Sequence, residues 1–371
     1  MFQLRERDTM SYKVLTILPP RERYEAGRAG AISLLVSRIA GISDVVAGLG
    51  QIRMPLPGGQ YFPLILPRVP LPSGWRLRLA CMSMVRSCQP ALTEIHNRPD
   101  LARFLARFGP VRLVLHNDPC TMRGARSVRQ REELARHVLV CGVSEWVIQR
   151  FRENCGSIRT EMQPNCIDLS ALPYSPFAQR QKTILFAGRV VADKGVDAFV
   201  RAWGAVRAAH PEWRAIIMGA DRFGPESPET PYLEKLRPLA ATAGVMMTGY
   251  VPHDGVLKAM AEAAIVMVPS RWQEPFGMTA LEAMGCGAAV VASPKGALPD
   301  LVGDAALLAD PDEPGALEQA LSRLMDDDHL REQLGIKGRE RAALFDVGAA
   351  RTRLGELRRE AIAFAHRAPQ P

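Results

Sequence analysis

Apolar residues along this chain gather in short runs, and each run is followed by a longer stretch in which apolar positions return with helical spacing. Unbroken apolar runs fit strands buried on both faces, and the stretches between them fit crossover helices. The pattern therefore predicts an α/β protein with parallel sheets. In the first half the predicted strands are Val14–Leu18, Leu113–Leu115 and Val138–Cys141, with helices over 31–42 and 144–152 and Ser144 as a cap. Residues 55–76 contain six prolines, which marks them as loop or sheet edge. The rhythm is clearer in the second half. Strands are predicted at Ile184–Gly188, Ala215–Gly219, Val245–Gly249, Ile265–Val268 and Ala288–Ala292, and Val196, Phe199, Val200, Trp203 and Val206 share one helical face after the first of them. A Pro-Asn turn within Gln163–Asp168 and a polar, proline-bearing stretch over 170–180 place the interdomain linker there. No fixed-period repeat is present, so a solenoid is set aside.

Composition narrows the class. A chain of 371 residues with 47% apolar and 23% charged side chains is long enough for two or three ordinary domains and is neither disordered nor fibrous. The net charge of +8 is unevenly placed: residues 1–170 carry 24 Lys+Arg against 14 Asp+Glu, or +10, whereas residues 171–371 carry 23 against 25, or −2. A basic half points to phosphate-rich partners, whether nucleic acid, an anionic membrane surface or a pyrophosphate-linked substrate. A plain preference for arginine is the competing explanation, since Lys13 is the only lysine before position 170. Seven cysteines at irregular spacings, with no C-x-x-C pair, read as reduced thiols of a cytoplasmic protein. The first ten residues are charged and lack an apolar core, so no secretory signal is expected. No run reaches the roughly 20 apolar residues of a membrane span, so membrane contact is expected to be peripheral.

The densest chemistry lies in the segment from Pro269 to Met284. It follows a predicted strand, and Pro275 and Gly277 set the next helix to begin near Met278. That arrangement puts Glu274 in the loop and Glu282 in the second helical turn. At the carboxyl end of a parallel strand, a helix N-terminus offers unpaired N–H groups to a phosphate, and carboxylates beside it suit sugar hydroxyls. A second segment, Phe186 to Gly195, sends Arg189 off a strand end and places Lys194 just before a helix. A guanidinium fork and an ammonium point charge suit a pyrophosphate, provided the strands at 184–188 and 265–268 lie close together.

Together the Gly-Arg-x4-Lys-Gly segment at 188–195, the Glu-x7-Glu pair within Pro-Ser-x3-Glu-Pro-Phe-Gly, the Pro-Asn-x-x-Asp turn at 164–168 and the Gly249-Tyr250-Val251-Pro252 loop resemble the family 4 retaining glycosyltransferases of GT-B fold. The resemblance runs from Pro164 to Asp312 and is weaker before it. It implies two Rossmann-like doubly wound domains facing a cleft: residues 1–170 on the acceptor side, 171–347 holding the nucleotide-sugar donor, and 348–371 as a terminal helix returning to the first domain. By position, Arg189 and Lys194 would bind the donor diphosphate, Glu274 the hydroxyls of the transferred sugar and Glu282 the ribose. Gly188, backbone N–H groups of Phe276, Gly277, Met278 and Thr279, and the loop at Tyr250 and Val251 would complete the donor site. In the first half, Gly30 resembles the glycine that approaches the donor phosphate, although the family's adjacent glycine pair is missing here. His116 resembles a histidine beside the transferred sugar. His96 and Arg98, with His116-Asn117-Asp118, are similar to a subset of bacterial surface-polysaccharide and lipopolysaccharide-core transferases and are assigned to the acceptor side.

The resulting expectation is transfer, with retention, of a sugar from a nucleotide diphosphate sugar to a glycan or lipid-linked acceptor, at the inner face of an anionic membrane. The donor is a co-substrate and no cofactor or metal is expected. Asp310-Pro311-Asp312 and Asp326-Asp327-Asp328 sit in turn and linker contexts and are read as solvated charge. A sugar nucleotide epimerase or glycosyl phosphorylase on the same fold stays open. No nucleic-acid module or aromatic stacking pattern is evident, so nucleic acid is not expected as a partner.

Overall fold

A computed structural model describes residues 13–221 and 227–367. The charged opening segment on which the reading of no secretory signal rests lies outside the described residues. The chain divides into two units. The first takes the described residues of Met1–Gly142, Val147–Gln163 and Thr352–Pro371, and the second takes Val143–Trp146 and Pro164–Arg351.

Seven strands form the first unit's sheet: β1 (Val14–Ile17), β2 (Val45–Leu49), β3 (Gln60–Leu64), β4 (Leu92–His96), β5 (Val111–Leu115), β6 (Leu139–Gly142) and β7 (Thr160–Met162). Their order is β3-β2-β1-β4-β5-β6-β7, and every pairing is parallel. Pro63 lies in β3, an edge strand, where its missing N–H costs no ladder bond on the open side. The second unit's sheet holds β8 (Gln181–Ala187), β9 (Arg214–Met218), β10 (Val245–Gly249), β11 (Ala263–Val268), β12 (Ala289–Ala292) and β13 (Leu307–Leu308), in the order β10-β9-β8-β11-β12-β13, again parallel. In each sheet the strand order reverses at one point, between β1 and β4 and between β8 and β11. Ligand crevices form at such points in doubly wound sheets.

Among the buried apolar side chains of the first sheet lies a charged cluster. Glu94 on β4 accepts from Arg112 Nε at 2.9 Å and from Arg358 Nη2 at 2.9 Å, and Arg358 also reaches Asp44 at 2.8 Å. Arg112 is fully buried and also donates to Gln163. Arg358 belongs to the helix Val347–Arg367, so this network ties residues 352–367 to the first sheet. Burial alone would raise the Glu94 pKa, but the two guanidiniums outweigh it and hold the carboxylate well below its usual range. The second unit also has an apolar interior, with Ile184, Phe186, Phe199, Trp203, Ile217 and Met267 among its buried side chains.

Two expectations about organisation need correction. Residues 164–170, assigned to the first domain, pack with the second unit, because Ile167 exchanges backbone hydrogen bonds with Phe345 and Val347 (3.0 and 2.8 Å) and Asp346 accepts from Leu169 N at 3.0 Å. The stretch 170–180 is not a free linker either. Tyr174 lies under the Arg339 guanidinium at 4.5 Å, and Arg180 donates to the Ala263 carbonyl at 2.9 Å.

Candidate functional site

In the second unit β8 and β11 are neighbours, so the segments that follow them emerge side by side. The loop after β8 passes through Gly188 in the left-handed region (φ +148°), and a Cβ on Gly219 would strike the Gly188 carbonyl oxygen. Arg189 follows, exposed and with no hydrogen bond or ion pair among the described residues. The chain then turns through Ala192–Lys194 to Gly195 (φ +67°), the N-cap of helix Val196–Val206. A Cβ on Gly195 would overlap the Pro269 carbonyl oxygen, so only glycine lets the two segments meet.

The junction is stitched by the backbone as well. The Asp193 carbonyl accepts from the N–H groups of Arg271 and Trp272 at 2.8 and 2.9 Å and from the Ser270 hydroxyl at 3.2 Å. Asp197, in the first turn of that helix, receives the Arg271 guanidinium at 2.8 and 3.1 Å and the Tyr232 hydroxyl at 3.0 Å. Burial pushes the Asp197 pKa up, but hydrogen bonds from Arg271 and Arg201 prevail and bring it down to about 2.

On this base stands the ion pair of Lys194 Nζ with Glu274 Oε1 at 2.5 Å. The Glu274 carboxyl group is nearly buried, and its backbone is clasped by Gly296 (φ +62°), where any Cβ would strike Glu274 N and O, and by the 2.7 Å bond from Ala297 N to Glu274 O. Beyond it the Pro275 carbonyl accepts from Ser144 Oγ at 2.6 Å, and Phe276 meets Phe345 edge-on at 5.7 Å. Gly277 (φ +104°) is the N-cap of helix Met278–Gly285, and no side chain caps that end. Its first N–H groups, at half-buried Met278 and Thr279, therefore remain available to an anion. Glu282, buried in the helix's second turn, lies 2.9 Å from His253 Nε2 at the start of helix His253–Glu262. Just before that helix come half-buried Tyr250 and Val251, anchored where Gly219 N donates to the Gly249 carbonyl at 2.9 Å.

Arg189, Lys194, Glu274, the Phe276–Thr279 turn and Glu282 thus belong to the loops and helix starts that leave two adjacent strands. Sequence reasoning missed His253, Gly296 and the Asp197–Arg271–Tyr232 cluster. Only the position of His253, next to the Gly-Tyr-Val-Pro loop, hinted at any of them. The acidic tripeptides have other work: Asp310 pairs with Lys295 at 2.8 Å, Asp327 caps helix Asp328–Ala343, and Asp328 pairs with Arg331.

In the first unit the assigned residues are placed less simply. Gly30 is the N-cap of helix Ala31–Ile39, but the Glu22 carboxylate lies against it and accepts from Ser33 N at 3.2 Å, so the position expected to approach a phosphate faces an internal carboxylate. His116 follows β5, and its Nε2 lies 2.8 Å from Nδ1 of His96 at the end of β4. The acceptor-side role of His96 is corrected: the residue is 1% exposed and its Nδ1 is engaged by His116. Burial also keeps it neutral, with its pKa pushed down to about 4 against the pull of Glu94. The Arg98 guanidinium is engaged by both oxygens of Asp100, at 2.9 and 3.1 Å.

Comparison with known proteins accords with this geometry. Residues 173–341 match the family model "Glycosyl transferases group 1". The D-inositol 3-phosphate glycosyltransferase of Corynebacterium diphtheriae is 32% identical over 176 residues, which are 47% of this chain and 41% of that protein. The chain thus spans less than half the length of that curated relative. Among solved structures, Anabaena HepE in complex with UDP superposes with a TM-score of 0.74 at 19% identity, covering 94% of this chain and 100% of that one. WaaG, a glycosyltransferase involved in lipopolysaccharide biosynthesis, superposes with a TM-score of 0.65 at 15% identity, covering 93% and 99%. At these identities the likeness shows the fold: two Rossmann-like α/β domains, as in GT-B glycosyltransferases.

Proposed function

From the match of residues 173–341 to the Glycosyl transferases group 1 family model, we propose a retaining, metal-independent transfer of a sugar from a nucleotide diphosphate sugar to a hydroxyl of a glycan or lipid-linked acceptor. The observation that carries this reading is the Lys194–Glu274 ion pair, which joins the cationic segment after β8 to the carboxylate segment after β11, beside the uncapped helix at Met278.

Cleavage of a glycosyl phosphate bond leaves negative charge on the diphosphate and positive charge on the sugar ring. Arg189, Lys194 and the N–H groups at Met278 and Thr279 are preorganised donors for that diphosphate. In this proposal Glu274 accepts from hydroxyls of the transferred sugar while it holds Lys194, and Glu282 accepts from the ribose while His253 fixes its carboxylate. Gly188 lets the backbone pass close to the phosphates, and Tyr250 and Val251 border the base. None of these carboxylates is assigned as a nucleophile. The acceptor hydroxyl attacks from the face the leaving phosphate departs, and that phosphate takes the proton. His116 keeps the orienting role that the resemblance gives it.

The donor class is supported by the UDP bound to HepE. A bacterial surface-polysaccharide or lipopolysaccharide pathway is supported by the likeness to WaaG, which is involved in lipopolysaccharide biosynthesis; the inner face of an anionic membrane is the location the proposal assigns to it. The C. diphtheriae relative, named for a phosphorylated inositol, supports an anionic acceptor, in keeping with the basic first half. A panel of nucleotide sugars, scored for thermal stabilisation and slow hydrolysis with and without EDTA, tests the proposal. Wild type should respond to at least one donor irrespective of EDTA, and Glu282→Ala should weaken the response. Absence of any donor effect in wild type sinks the proposal.

A further inference from the structure

One stretch of the first unit has a composition the donor chemistry does not use. Between Asp44 and Glu94 there is no acidic residue, and there are five arginines, at 53, 68, 76, 78 and 86. Within it, after the edge strand β3, Ile65 is 81% exposed and Val69, Leu71 and Trp75 are exposed as well. Residues 68–73 are exposed without interruption, yet the loop is folded, because Arg76 Nε donates to the Pro67 carbonyl at 2.9 Å and closes it. The apolar side chains are therefore displayed on a built surface.

The surface continues onto the helix Pro99–Leu105 and the turn Ala106–Phe108. The Arg78 guanidinium lies 4.9 Å from the Trp75 ring and 5.5 Å from Phe104. Arg107 lies 4.9 Å from Phe104, and Arg86 lies 5.9 Å from Phe108. Rings and cations alternate, with Phe104 and Phe108 at 5.6 Å from each other. Asp100, 3.8 Å from Arg78, supplies a carboxylate beside this row, while Arg68 has no acidic partner among the described residues.

We propose that residues 65–78, with the Phe104–Phe108 turn, form a docking surface for an anionic lipid bilayer. The inference rests on the proposed function in that it gives a lipid-linked acceptor a place to be met. Aliphatic side chains enter the acyl boundary, aromatic rings settle at the headgroup level, and arginines pair with lipid phosphates. The surface suits a single-stranded nucleic acid less well. Bases stack on open ring faces, whereas here the protein's own guanidiniums lie against Trp75, Phe104 and Phe108, and Ile65, Val69 and Leu71 would have nothing to stack on.

Cosedimentation of the whole chain with vesicles tests the proposal. Wild type should pellet with equimolar phosphatidylglycerol and phosphatidylcholine and stay in solution with phosphatidylcholine alone. The double variant Ile65→Asp/Leu71→Asp and, separately, Arg68→Glu should each reduce the bound fraction by about tenfold, with unchanged melting temperature and unchanged thermal response to UDP. Wild type that remains soluble with anionic vesicles overturns the proposal, as does a double variant that binds like wild type. So does tight binding of single-stranded RNA at physiological salt that Arg68→Glu abolishes. A missing UDP response alongside intact vesicle binding would defeat the donor assignment and leave this surface standing.

Discussion

Against the first sheet Glu94, Arg112 and Arg358 satisfy one another in a buried cluster, whereas at the strand ends of the second sheet, among the described residues, Arg189 has no partner and Lys194 pairs with Glu274 alone. Both sheets are parallel and reverse their strand order once, so architecture does not account for the difference. What differs is the task left to the charges. A closed set such as Glu94–Arg112–Arg358 can only hold the fold together, and an open set at a strand end still has hydrogen-bonding capacity for a ligand.

The contrast is tested most severely by opening the closed set. Arg112→Ala leaves buried Glu94 with Arg358 as its one cationic partner and strands the Gln163 side chain, and should cost roughly 3–5 kcal/mol in denaturant unfolding, while the thermal response to UDP persists in whatever fraction folds. Next comes pH. Because burial pushes the His96 pKa from 6.5 down to about 4, the unfolded chain takes up this proton first as pH falls. Stability should therefore decline from pH 6.5 towards 4, by about 3 kcal/mol in all. Between pH 6.5 and 5.5, above the range in which Glu94 takes up a proton in the unfolded chain, His96→Asn should flatten that decline in thermal melts. If the variant keeps the full slope, His96 is not the group responsible.

The open set should behave in the reverse way. Arg189→Ala and Lys194→Ala should each lower turnover at least tenfold, about 1.4 kcal/mol of barrier, with the melting temperature of Arg189→Ala unchanged. A large loss of stability in Arg189→Ala would erase the distinction between the two units. The smallest effect is expected at His253→Ala, where Glu282 loses one partner. The donor KM should rise by a factor of a few, about 1 kcal/mol, with kcat little altered. A drop in kcat with KM unchanged would give His253 some role other than holding Glu282.

The same contrast governs what could be read from the sequence. Strands β8, β11 and β12 are visible because strands covered on both faces read as apolar runs, such as Ala263–Val268. β4 was invisible because Leu92–His96 contains Thr93, Glu94 and His96, all buried. Glu94 is matched there by Arg112 and Arg358 and His96 by His116, all distant in the chain, and a local window sees polarity without its partner. The two ends of the Lys194–Glu274 pair were identified separately, and it took the β8–β11 pairing to bring them to 2.5 Å. His253 escaped notice because its partner is on another helix, at Glu282. Glu22 escaped for a different reason: nothing in its neighbourhood says that its carboxylate turns back onto Gly30.

The bare backbone of Gly195 against Pro269 separates two kinds of damage. A guanidinium or ammonium ion added in solution can in principle occupy the space vacated by Arg189→Ala or Lys194→Ala and restore part of the lost rate. No additive can remove a methyl group, so Gly195→Ala should be refractory to such chemical rescue. The site thus contains functional groups that can be replaced from outside and one that consists only of the room an absent side chain leaves.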